Sequence, residues 1–132
     1  MVSKPARMTR ILIVEEDQQH RDAIKILLEH DGYQVDSARD EREAVHRIRE
    51  HRPDLILISL EGTPEQVIAT AENIRLGGGL GHFTPVVIFS LKNIPDGAEQ
   101  ELASNIYVTA PDNFDHLRGF LKQVLLGLWR TH

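Results

Sequence analysis

The chain has 132 residues, enough for one domain and no reason to seek a second. It has no cysteine, so neither a disulfide framework nor a thiolate metal site can form. The formal net charge of −5 argues against a nucleic-acid surface. No apolar run approaches the roughly 18 residues needed to cross a bilayer, and the polar stretch before Ile11 is not a secretory signal. A cytoplasmic protein that binds neither membrane nor nucleic acid through this domain is the expectation.

Residues 1–8 read as a disordered lead-in and 9–130 as one domain. Ile11-Leu-Ile-Val14 is a short, fully apolar run, as in a strand buried on both faces. Ile24, Leu27 and Leu28 then recur at helical spacing up to a stop at Asp31-Gly32. Tyr33 to Ala38 alternates weakly and suggests an edge strand. Ala44, Val45 and Ile48 mark a second helix, closed by Arg52-Pro53. The basic residues of the 39–52 stretch are interleaved with acids, the pattern of a solvated helix face.

Leu55-Ile-Leu-Ile58 is a third strand, and Pro64 opens a helix with Val67, Ile68, Ala71 and Ile74 inward. Gly77-Gly-Gly79 ends that helix. The glycine run lacks the Lys-Ser/Thr and the strand-to-helix setting of a phosphate loop, so it reads as a connection. Pro85 to Phe89 is a fourth buried strand, residues 96–103 a short, poorly patterned helix, and Ile106-Tyr-Val108 a fifth strand. In the last helix Phe114, Leu117, Leu121, Val124, Leu125 and Leu128 form one stripe, with Phe120, Leu126 and Trp129 falling partly off it.

This alternation predicts an α/β fold: a doubly wound, flavodoxin-like, five-stranded parallel sheet in the order 2-1-3-4-5, with five helices. In such sheets the site lies beyond the carboxyl ends of the strands, which directs attention past Val14, Ile58, Phe89 and Val108. Glu15, Glu16 and Asp17 stand at the first of these ends. They either hold a hard cation such as Mg²⁺ or serve the next helix, Asp17 as its cap. The seven histidines show no metal-binding spacing.

Ile11-Leu-Ile-Val-Glu-Glu16, Gly32-Tyr-Gln-Val35, Pro53-Asp-Leu-Ile-Leu-Ile-Ser59, Pro85-Val-Val-Ile-Phe-Ser90 and Tyr107-Val-Thr-Ala-Pro111 together resemble the receiver domains of bacterial two-component response regulators, the CheY-like fold. The resemblance runs from about Thr9 to about Leu128. It implies a non-enzymatic phosphorelay module that takes phosphate on an aspartate from a histidine kinase. By that resemblance Glu15 and Glu16 are the acidic pair, Ser90 the phosphate-contacting hydroxyl, Tyr107 the switch aromatic, and Pro111 a candidate cis proline.

Two positions depart from the pattern: Ser59 stands where the acceptor aspartate is expected, and Ala110 where a lysine is. A serine hydroxyl needs a general base that a carboxylate does not, and without the lysine no cation balances the phosphoryl group. The glutamate pair, longer than the usual aspartates and lacking a third carboxylate, holds Mg²⁺ weakly at most, and no other cofactor is implied. The expected function is therefore that of a pseudo-receiver, signalling through protein contacts with a kinase, an output domain or another regulator. The exposed part of the last helix is the candidate homodimer surface. The rival reading is a static dimerisation or structural module derived from a receiver.

Overall fold

The computed structural model describes residues 9–89, 98–110 and 113–127. Its elements, in chain order, are β1 (Arg10–Glu15), α1 (Gln18–His30), β2 (Gln34–Ala38), α2 (Glu41–Glu50), β3 (Leu55–Ser59), α3 (Pro64–Gly77), β4 (Val86–Phe89), β5 (Glu99–Ala103), β6 (Ile106–Thr109) and α4 (Phe114–Leu125). The lead-in at 1–8, Ser90, Pro111, Leu128 and Trp129 lie outside the described residues.

One six-stranded sheet runs β2-β1-β3-β4-β6-β5. The five strands β2, β1, β3, β4 and β6 pair in parallel in the anticipated order. The sixth is a correction to the expected topology. Glu99–Ala103, expected within a helix, is instead a strand lying antiparallel on β6. Four helices are therefore present among the described residues, not five. Glu, Gln, Leu and Ala in this segment all favour helix locally. Pairing with β6 overrides that preference, as tertiary context commonly does at a sheet edge. A register shift between Glu101 and Ala103 and the two acidic side chains of β5 blunt the new edge against further strands.

The apolar runs are continuous because both faces of the sheet are covered. Leu12, Val14, Ile56, Ile58, Val86, Ile88 and Val108 face one core with Ala44, Ile48, Val67, Ala71 and Ile74 from α2 and α3. Their alternates Ile11, Ile13, Leu55, Leu57, Val87 and Tyr107 face a second core with Leu28 of α1 and Leu117, Phe120, Leu121 and Val124 of α4. Phe120, expected partly off the stripe, is buried, whereas Leu126, the C-cap of α4, is 55% exposed. Leu27, expected inward, stands largely outside the core.

The helix ends follow local chemistry. Asp17, Asp40, Thr63 and Asn113 each accept a backbone amide at the start of α1, α2, α3 and α4, and Thr63 and Gln66 complete a capping box. Beyond α3 the chain passes so close to α2 that a Cβ on Gly78 would sit 2.6 Å from Ile48 Cγ2, which explains glycine there. Arg118 of α4 donates from Nε and Nη2 to both carboxylate oxygens of Asp31 at 2.7 and 2.6 Å, bracing the last helix against the end of the first.

Candidate functional site at the carboxyl ends of the strands

β1 and β3 end side by side, with Glu15 and Ser59 as register partners. β4 and β6 end likewise on the pair Phe89 and Thr109. All four side chains continue the alternation of Ile13, Leu57, Val87 and Tyr107, so they leave the sheet on its α1/α4 side. The row thus brings together Glu15 and Ser59; Ala110 follows Thr109 one residue past β6 and is not part of it. Ser90 falls outside the described residues, so its place in the row is not described.

Glu15 is only 8% exposed, and its Oε2 accepts the Asp17 amide at 3.1 Å. Glu16, next in sequence, points to solvent. Asp17 caps α1 by accepting the His20 amide at 3.0 Å, and that bond holds its carboxyl below the usual carboxylate range. The acidic triplet therefore splits into three environments: a mostly buried carboxylate, a solvated one and a helix cap.

Sequence reasoning did not anticipate the basic side chains around this triplet. Arg21, one turn into α1, donates from Nη1 to the backbone oxygens of Glu15 at 2.8 Å and Glu16 at 3.3 Å. His20 Nδ1 stands 3.9 Å from Glu15 Oε1 and 4.0 Å from Asp17 Oδ1. The available signal was their position in the first turn of a helix that follows an acidic strand end. Arg21 thus places a guanidinium at the end of β1, bound to main-chain carbonyls rather than to the carboxylates.

A receiver's Mg²⁺ needs several hard oxygen ligands in tight octahedral geometry. Among the described residues no group of three or more His, Cys, Asp or Glu could hold a metal ion. Ser59 contributes no carboxylate and Glu15 already accepts a backbone amide, so these residues fit the ion poorly.

Ser59 is half-buried at the tip of β3. Ala110 donates its amide to Ala98 O at 2.9 Å, tying the end of β6 to the start of β5. The Thr109 hydroxyl is fully buried with no hydrogen-bond partner among the described residues. Tyr107 is also buried; its ring meets Phe120 edge-on at 6.2 Å, and its hydroxyl donates to Asn105 Oδ1 at 2.7 Å.

Residues 11–107 match the family model of the response regulator receiver domain. This chain is a response-regulator receiver domain. The receiver is 30% identical over 117 residues, 87% of its length, to the transcriptional regulatory protein ZraR of Escherichia coli. It is 41% identical over 59 residues, 45% of its length, to the virulence transcriptional regulatory protein PhoP of Salmonella typhimurium. In each case the matched region covers 26% of the relative's own length.

Among solved structures, the signal receiver domain of a histidine kinase from Syntrophus aciditrophicus superposes with a TM-score of 0.69 at 28% identity. That match covers 95% of this chain and 96% of the other. The Vibrio cholerae chemotaxis protein CheY4 shares the fold with a TM-score of 0.65 at 20% identity, over 89% of this chain and 98% of that one. The receiver accordingly belongs to two-component signalling. No helix among its described residues is long and apolar enough to cross a membrane.

Proposed function

We propose that this receiver acts without taking up phosphate, passing signals by contact with a kinase, an output domain or another regulator. The observation that carries this reading is Ser59 beside Glu15 at the end of β3, where the resemblance puts the acceptor aspartate. A hydroxyl there needs a base to become a nucleophile, and the nearest register neighbour, Glu15, has one oxygen engaged by the Asp17 amide. Ala110 across the sheet adds no cation to steady a phosphoryl group. The Arg21 guanidinium, bound to the main-chain carbonyls of Glu15 and Glu16, adds positive charge to the strand end where a metal would otherwise stand.

Intact mass after incubation with acetyl phosphate and Mg²⁺ tests this directly. The expected mass is unchanged. An acid-stable gain of one phosphate would overturn the proposal and point to Ser59; an acid-labile gain would overturn it through a carboxylate, first Glu61, exposed two residues past Ser59, or Asp17.

A second reading, a static module derived from a receiver, is favoured by one observation. The Tyr107 hydroxyl is tethered to Asn105 and the ring is packed on Phe120, an arrangement that holds one rotamer. Relaxation-dispersion NMR separates the two readings. Exchange on the microsecond-to-millisecond scale at Tyr107 supports a contact-driven switch, and a flat profile with and without partner supports the static module.

Among the described residues, the apolar surface that the last helix offers to a homodimer is narrower than the sequence suggests. Phe120 is spent on the core, so Leu126 is the large apolar side chain that α4 and its cap leave exposed among the described residues.

A further inference from the structure

Asn105 has φ 58°, the only non-glycine residue with positive φ among the described residues. Asparagine tolerates this left-handed conformation better than most residues, yet it carries strain that surrounding bonds must hold in place. Those bonds converge from three directions. Its Oδ1 accepts the Tyr107 hydroxyl at 2.7 Å. Its Nδ2 donates to His82 O at 2.9 Å and Phe83 O at 3.1 Å. Its backbone amide donates to Glu101 Oε2 at 3.0 Å, and its carbonyl accepts the Val86 amide at 3.0 Å.

The segment held by Nδ2 follows the glycine-rich run and presents Phe83 at 97% exposure. A ring this exposed gains no burial that would fix its place, so the loop beneath it is held by its own hydrogen bonds. Few other hydrogen bonds hold it among the described residues. The Thr84 amide reaches Gly81 O at a long 3.4 Å, and Arg75 Nη1 donates to Thr84 O at 3.2 Å. Both carbonyls bound by Asn105 belong to the two residues that set where the Phe83 ring stands.

We infer that Asn105 is a relay between Tyr107 and the α3–β4 loop, so that the position of the tyrosine hydroxyl sets how firmly Phe83 is presented. With the hydroxyl in place, the carboxamide has its oxygen engaged and its nitrogen aimed at the two loop carbonyls. When Tyr107 turns away, the carboxamide loses the bond that fixes its orientation, and the loop loses its hold. The relay deepens the contact-signalling reading by naming a route from the sheet to a surface. It exists or fails independently of whether phosphate is ever taken up.

The test is amide NMR on the whole chain, comparing wild type with Tyr107→Phe, Asn105→Gly and the double variant. Tyr107→Phe keeps the ring on Phe120 and removes one hydroxyl. Its amides from Gly81 to Thr84 are expected to shift, and exchange at Thr84 and Val86 to quicken by about fivefold, the factor carried by one hydrogen bond of ordinary net strength. Asn105→Gly suits the positive φ and removes the relay, and adding Tyr107→Phe to it should change residues 81–84 no further. The inference is overturned if Tyr107→Phe leaves residues 81–84 unmoved, or if the two substitutions act additively there. Should Asn105→Gly fail to fold, the single hydroxyl deletion decides alone. The mass experiment above probes the contact-signalling reading without touching either residue, so the two failures are distinguishable.

Discussion

Phe120→Ala is expected to be the most damaging single truncation on α4, costing about 3–5 kcal/mol. The ring is 1% exposed, packs within the core formed by β1, β3, β4, β6, α1 and α4, and meets Tyr107 at an interplanar angle of 81°. Removing it deletes buried apolar surface, leaves a void the helix cannot fully close, and forfeits an edge-to-face pair. For a domain of this size the loss corresponds to a fall in Tm of roughly 10 to 18 °C, read by circular dichroism or calorimetry. Leu126→Ala, on a side chain 55% exposed, is the matched control and should leave Tm nearly unchanged. If the two truncations shift Tm equally, α4 does not pack by the face described.

That contrast also shows how far the sequence could be read. Phe120 lies three residues after Leu117 and four before Val124, within the width of an ordinary buried stripe. A narrow reading of the stripe placed it off the face; what brings it in is Tyr107, a residue contributed by a strand rather than by the helix pattern. The strands β1, β3 and β4 were legible because burial on two faces leaves a run with no polar interruption. β5 was not, since Glu99 to Ala103 carries helix-forming residues and becomes a strand only through its partner β6.

For the site, the legible part was the inventory at the strand ends, and the register of β1 on β3 places Glu15 beside Ser59. The illegible part was everything set by hydrogen-bond geometry. Asp17 spends its carboxylate on the helix cap and Glu15 turns inward while Glu16 turns out. Arg21 reaches back to two carbonyls six and five residues earlier. Asn105, an unremarked turn residue in the sequence, acquires its role only when the α3–β4 loop is folded against it.

Ser59→Asp should convert this strand end into one that responds to divalent metal. The substitution places a carboxylate on the same side of the sheet as Glu15, its register partner, in a half-buried position. Without metal the two carboxylates repel, and the variant is expected to melt below wild type. Adding Mg²⁺ supplies a hard cation with an oxygen donor that the serine cannot match. At ten times the dissociation constant, binding to the folded state alone stabilises by about 1.4 kcal/mol, or roughly 5 °C in Tm.

Wild type should show no comparable response across the same MgCl₂ range, because the Arg21 guanidinium already stands at the end of β1 and no third carboxylate completes a cage among the described residues. Thermal melts of both proteins in EDTA and in increasing MgCl₂, at constant ionic strength, decide the matter. Equal stabilisation of the two would mean that Glu15 and Glu16 hold the ion without help from β3. Ser59 would then be a substitution within a working metal site rather than the residue that removes it.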